Sequence, residues 1–146
     1  MFDLYPSPGR YIMRVSSGIL HQLDSFVADT SMTSVEARVL QFIAAAERPL
    51  YQKDIEAEYG YTPATVSELV KGMEAKGLIQ RRVDPEDRRR RCLTIAPDIA
   101  PQVEIMREKM IQMERDLVLD IDEDKLRIFM EVVRKMSENM PPRSRQ

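Results

Sequence analysis

The chain has one cysteine, Cys92, and one histidine, His21, in 146 residues. A single thiol excludes an internal disulfide framework and suits a reducing compartment, so a cytoplasmic location is expected. His21 and Asp24 lie three residues apart, but zinc needs three or four ligands. A metal-free, hydrogen-bonded histidine is the expectation. No glycine-rich phosphate loop and no nucleophile or metal spacing appears among the acids, so neither an enzymatic activity nor a cofactor is expected. No apolar run approaches the roughly 18 residues of a membrane span, and the N-terminus lacks a basic start followed by a long apolar stretch. An excess of positive charge is missing too. The formal net charge is −2, which excludes nucleic-acid binding by bulk charge and leaves only local charge separation.

What is present is a globular composition, 43% apolar and 32% charged, that fits one compact domain of about 100–200 residues. The charges separate along it. From Arg81 to Arg91 six arginines face three acids, a surplus of +3, whereas Pro97 to Met140 carries a balance of −4. No repeat or low-complexity linker divides the chain.

After a lead-in bearing Pro6, Pro8 and Gly9, apolar residues at Ile12, Val15, Ile19, Leu23 and Phe26 have the spacing of an amphipathic helix. Thr33 with Glu36 forms a capping-box pattern ahead of Val35, Val39, Leu40 and Ile43, which predicts a second helix ending before Arg48-Pro49. Leu50 to Gln52 reads as a pairing strand or an extended lead into a third helix, Lys53 to Glu58, stopped by Gly60. Thr62 is then an N-cap and Pro63 a first helical residue, opening a fourth helix that runs to Lys76 and is ended by Gly77. On that helix Val66, Leu69, Val70 and Met73 share the packing face, with Ala64, Glu68, Lys71 and Ala75 opposite.

Leu78 to Val83 and Arg91 to Ile95 read as strands joined by a turn at Asp84-Pro85-Glu86-Asp87. Ile99, Val103, Met106, Met110, Met113 and Leu117 form the seam of a long helix, although Ala96 is a poor cap for it. Leu126, Phe129, Met130, Val133, Met136 and Met140 mark a last helix, ended by Pro141-Pro142. The order is that of a winged helix-turn-helix: mainly α, about six helices and a small β-hairpin wing.

This order places chemistry as well as structure. A capped helix fits the DNA major groove and presents its N-terminal outward residues to base edges. Here those are Thr62, Pro63, Ala64, Thr65, Ser67, Glu68 and Lys71, with Lys53 on the preceding helix. The hairpin adds Arg88, Arg89 and Arg90, suited to phosphates or a narrow minor groove. If Arg88 to Arg91 alternate as in a strand, Arg88 and Arg90 face the DNA while Asp84 and Asp87 brace the wing.

These residues resemble the MarR (multiple antibiotic resistance regulator) family of winged-helix transcription factors. The matching stretches are Thr33-Ser34-Val35-Glu36-Ala37-Arg38-Val39-Leu40, Tyr61-Thr62-Pro63-Ala64-Thr65-Val66-Ser67, Leu69-Val70 with Met73-Glu74-Ala75-Lys76-Gly77-Leu78-Ile79, and Arg81-Arg82 leading to Asp84-Pro85-Glu86-Asp87-Arg88-Arg89. The resemblance implies a homodimer on a pseudo-palindromic operator. Residues 33–96 would form the DNA-binding lobe, and 9–30 with 97–140 the dimerisation helices, within one domain over 1–146. Ile12, Val15, Ile19, Met113, Leu117, Phe129, Val133 and Met136 are the dimerisation candidates. It further implies a regulator, typically a repressor, released when a small aromatic or phenolic effector enters a crevice. The sequence departs from the family at Glu68, where many relatives carry a basic residue, and in having no cysteine in the first helix, where some relatives sense peroxide.

Other readings compete with this one. Cys92 lies beside Arg90 and Arg91, which favour a thiolate and a redox-responsive wing, against the plainer reading of a small, half-buried strand residue. A winged-helix protein-interaction module is the other alternative, but an assembly interface rarely leaves so many guanidinium groups unpaired. The methionines at 106, 110, 113, 130, 136 and 140 suit either an adaptable pocket or a core and interface. Tyr5, Tyr11, Phe26 and Phe42 would border the crevice.

Overall fold

A computed structural model describes residues 7–141. The elements run α1 (Pro8–Val27), α2 (Ser34–Ala44), α3 (Gln52–Tyr59), α4 (Pro63–Ala75), β1 (Ile79–Val83), β2 (Arg91–Ile95), a 3₁₀ turn (Pro97–Ile99), α5 (Ala100–Leu117) and α6 (Glu123–Asn139). Strands β1 and β2 pair antiparallel, with Ile79 opposite Ile95 and Val83 opposite Arg91. Leu50 adds a single antiparallel bridge to Leu93, its carbonyl accepting from the Leu93 amide at 2.8 Å. The extended segment ahead of α3 is thereby pinned to the hairpin.

Local sequence explains most of the boundaries. The Thr33 hydroxyl accepts from the Glu36 amide at 3.2 Å, and the Glu36 carboxylate accepts from the Thr33 amide at 2.8 Å, so the first turn of α2 has its free donors satisfied reciprocally. Gly60 and Gly77 stop α3 and α4 at φ 64° and 70°, backbone positions that side-chain-bearing residues adopt at a cost. Pro8 and Gly9, expected in a lead-in, instead form the first turn of α1, where proline's missing N–H has no helical partner to lose.

The core is built under the helix-turn-helix. Val39, Leu40, Ile55, Val66, Val70, Met73 and Leu78 are all fully buried, each stabilising the fold by about 1.5–3 kcal/mol relative to exposure. Val66, Val70 and Met73 confirm the packing face expected for α4, with Leu69 at its half-buried margin. Val103 and Met106 close the core from α5.

The long terminal helices are packed very differently. Of the twenty residues of α1 only Leu23 and Val27 are buried, and α6 has none. Tyr11, Ile12, Met13 and Val15 on α1, and Ile128, Phe129, Met130 and Val132 on α6, are exposed. Among the expected dimerisation residues Leu117 is exposed and Ile19, Val133 and Met136 are half-buried. Met113 departs from the expectation. It is 8% exposed and packs within the protomer, because that side of α5 turns toward α1 and α2.

Candidate nucleic-acid interface

Helix α4 is positioned by its cap. The Thr62 hydroxyl accepts from the Thr65 amide at 3.2 Å, and the two threonine hydroxyls lie 2.9 Å apart. Both are therefore engaged in the first turn, which presents Pro63, Ala64 and Thr65 at the exposed end of the helix. Farther along, Glu68 and Lys71 pair at 3.0 Å with side chains 77% and 62% exposed. Ser67 is half-buried and Lys53 is exposed on α3. An ion pair so open to water contributes little to stability. What it does is hold an acid and a base side by side on the outer face of the helix.

The hairpin differs from the sequence expectation. Arg88, Arg89 and Arg90 are not in a strand: β2 begins at Arg91, and Asp84 to Arg90 form a loop closed by the Asp84 amide on the Arg90 carbonyl at 3.1 Å. Alternation of the arginines therefore does not apply. Asp84, 4% exposed, folds the loop back by accepting from the amides of Glu86 at 2.8 Å and Asp87 at 3.4 Å, and from the Tyr51 hydroxyl. Asp87 accepts from the Arg89 amide at 3.0 Å through its side chain and from the Arg90 amide at 2.9 Å through its carbonyl. Asp84 and Asp87, the residues expected to brace the wing, thus accept from backbone amides of the loop, and Asp84 also from the Tyr51 hydroxyl.

The arginines divide accordingly. The Arg90 guanidinium stacks on the Tyr51 ring, 3.8 Å from its centre. Arg90, expected to point toward DNA beside Arg88, is instead spent on the base of the loop. Arg88 and Arg89 are exposed at its tip, and no ion pair among the described residues involves either. On β1, Arg81 donates to Glu74 at 2.9 Å and ties the hairpin to α4.

Tyr51, Arg48 and Asp54 were missed by sequence reasoning. Arg48 grips Asp54 with both terminal nitrogens, at 2.6 and 3.3 Å, and Asp54 accepts from the Tyr51 amide at 2.8 Å. The Arg48 bonds hold the Asp54 carboxyl below the usual carboxylate range, against the opposing effect of burial. The spacing Tyr51-x-x-Asp54 carries half of a capping-box signal and marks the start of α3. Nothing local marks the contact to Asp84, 33 residues away.

A crevice of about 500 Å³ lies where α1, α2, α5 and α6 meet, lined by Tyr11, Ile12, Leu23, Arg38, Met110 and Phe129 among others. Arg38 sits in its wall, donating to the Tyr61 hydroxyl at 3.5 Å while its Nε is buried without a hydrogen-bond partner among the described residues. Tyr59 stacks on Tyr61 and meets Phe42 edge-on, and burial pushes the Tyr59 phenol up. Tyr11 is thus at the crevice, Phe42 in the aromatic cluster behind it, and Phe26 beneath Lys109 at 5.8 Å, away from it. Tyr5 lies outside the described residues, as does Pro142. Met106 is core, Met110 and Met113 line the crevice, and Met130 and Met140 are exposed.

Cys92 is buried, not half-buried, with its thiol directed at the Arg82 carbonyl 3.6 Å away. His21 is exposed and makes no side-chain hydrogen bond among the described residues, so the bonded histidine expected from sequence is not found. Among the described residues no cluster of three or more His, Cys, Asp or Glu is arranged to hold a metal, and no helix is long and apolar enough to cross a membrane.

Residues 30–90 match the sequence model of the MarR family. The uncharacterized HTH-type transcriptional regulator YdgJ of Bacillus subtilis is 21% identical over 115 residues, covering 79% of this chain and 70% of that one. Among solved structures, the MepR–DNA complex of S. aureus superposes with a TM-score of 0.80 at 24% identity, over 92% of this chain and 98% of that one. CouR from Rhodococcus jostii RHA1, bound to p-coumaroyl-CoA, does so with a TM-score of 0.81 at 17% identity, over 97% and 99%. The helix-turn-helix and wing, residues 30–90, are thus similar in sequence to the MarR family, and the described chain has the fold of solved MarR-family regulators.

Proposed function

We propose that the protein is a homodimeric, sequence-specific binder of double-stranded DNA that represses transcription in the cytoplasm from a pseudo-palindromic operator. The observation that carries this reading is the pairing of an exposed α4 face, Pro63 to Lys71, with two exposed arginines, Arg88 and Arg89, that have no ion-pair partner among the described residues and project from a braced loop. The helix face suits base edges in a major groove, and the arginines suit the adjoining backbone or minor groove. Lys53 adds a positive charge on the same lobe, residues 33–96. The MepR–DNA complex shows a protein of this fold on DNA.

Two copies are required because the apolar faces of α1 and α6 lack a partner among the described residues of the protomer. Ile12, Val15, Ile19, Leu117, Phe129, Val133 and Met136 meet their counterparts there, within residues 9–30 and 97–140. The crevice borders this contact and shares Ile12, Val15, Ile19, Phe129 and Val133 with it, so the place for a small effector that releases DNA is its inner end, where Leu23 and Met110 suit an aromatic ring and the Arg38 Nε suits a polar acceptor. CouR, of the same fold, was solved with an aromatic thioester bound. The burial of Cys92 does not favour a redox switch on the wing.

Selection of bound fragments from random duplex DNA tests the reading. The expected product is an inverted repeat with half-sites about 10–10.5 base pairs apart, or a multiple of that spacing. Recovery of fragments with no shared sequence would overturn it.

A further inference from the structure

The loop that carries Arg88 and Arg89 is held at its two ends by one side chain. Asp84 and Arg90 are those ends, joined through the Asp84 amide and the Arg90 carbonyl at 3.1 Å. The Tyr51 hydroxyl donates to the Asp84 carboxylate, and the face of its ring receives the Arg90 guanidinium at 3.8 Å. Tyr51 is itself fixed. Its amide donates to Asp54 at 2.8 Å, Asp54 is gripped by Arg48, and the residue before it, Leu50, is bridged to Leu93 in β2. The phenol is thus a strut from the start of α3 to the base of the wing.

We propose that Tyr51 is a positioning residue for the wing, setting duplex affinity through the order of the Asp84 to Arg90 loop without touching DNA. This rests on the DNA-binding reading above. A loop already ordered loses less conformational entropy when its arginines meet phosphates than one that must be ordered on contact. Because α3 leads directly into α4, the same strut sets the attitude of Arg88 and Arg89 relative to the recognition helix. The contacts made in the complex are unchanged by loosening the strut; only the fraction of free protein ready to make them falls.

Tyr51→Phe removes the hydroxyl and keeps the ring beneath Arg90, while Tyr51→Leu removes both. In the free protein, exchange of the Glu86, Asp87 and Arg90 amides is expected to quicken by about tenfold in Tyr51→Phe and further in Tyr51→Leu, with core amides in α2 and α4 unaffected. Duplex affinity is expected to fall by no more than that factor, since it follows the fraction of protein with an ordered loop, while the dependence of log K on log salt keeps its wild-type slope because no phosphate contact is lost. Wing amides exchanging as in the wild type, or a reduced salt slope, would overturn the proposal. Quickened exchange across the whole chain would also overturn it, as that is a merely structural role. The exchange arm needs no DNA, so failure of the wild-type protein to bind any duplex would be read separately, as failure of the DNA-binding reading.

Discussion

The Lys76 ammonium lies 2.9 Å from both carboxylate oxygens of Glu36, joining the C-terminal end of α4 to the first turn of α2. The Glu36 side chain is 7% exposed, and Lys76 also donates to the Ser31 carbonyl at 3.0 Å. Removing the lysine leaves a buried carboxylate with a single backbone donor. Lys76→Met is expected to lower unfolding free energy by about 1–3 kcal/mol. Arg127→Met, in a pair whose partners are 69% and 80% exposed, should change it by less than about 0.5 kcal/mol. Urea denaturation at matched protein concentration measures both, and equal losses would refute the assignment.

The cap of α4 is the second point where one atom decides. Thr62→Ala removes the acceptor of the Thr65 amide and is expected to destabilise the protein by about 0.5–2 kcal/mol, whereas Thr62→Ser keeps most of it. Thermal unfolding separates the two. An alanine variant melting with the wild type would mean that this hydroxyl does not hold the helix.

The pH response of the wing follows from two shifted groups. The Tyr51 hydroxyl, then the Glu86 amide, hold the Asp84 carboxyl below its ordinary range against the effect of burial, with help from the Asp87 amide and the Arg90 charge. The bond to Asp84, with burial, holds the Tyr51 phenol above its ordinary value, opposed by Arg90. A lowered carboxyl contributes order above its unfolded value and loses it as pH falls through the folded one; a raised phenol contributes below its unfolded value and loses it as pH rises through the folded one. The wing should therefore be equally ordered from about pH 5 to about pH 9. The Glu86 amide resonance should titrate in acid with a midpoint below that of an ordinary aspartate, and a midpoint at or above the ordinary one would contradict the brace.

Self-association is expected to depend on the open faces of α1 and α6. A charge at Phe129, 53% exposed in the protomer, costs little in the folded monomer and much in an apolar contact between copies. Phe129→Asp should sediment as a folded monomer at micromolar concentration, where the wild type is expected to be a dimer. A dimeric variant would move the interface elsewhere.

The recognition helix was legible because its signals are all local: a threonine cap, a proline at the first position, apolar residues at Val66, Val70 and Met73, and a glycine at Gly77. The capping box at Thr33 and Glu36 was legible for the same reason. The extent of the wing loop was not. Asp84-Pro85-Glu86-Asp87 announces a turn, but how far the chain stays turned is decided by Tyr51, which belongs to another element. Strand alternation consequently assigned Arg90 to the DNA side, when an aromatic ring already held it. Met113 failed differently. Periodicity identifies the apolar side of α5 without saying which neighbour covers each part of it, and here the protomer covers Met113 itself.

The tip of the wing, together with α4, is proposed to bind a DNA backbone. Duplex affinity measured by fluorescence anisotropy across a salt series tests it most directly, with Arg88→Ala, Arg89→Ala and the double variant beside the wild type. Each arginine that neutralises a phosphate contributes about 0.9 to the slope of log K against log salt, so the double variant should bind every duplex more weakly with a slope reduced by about 1–2. Wild-type affinity and slope in the double variant would contradict the account.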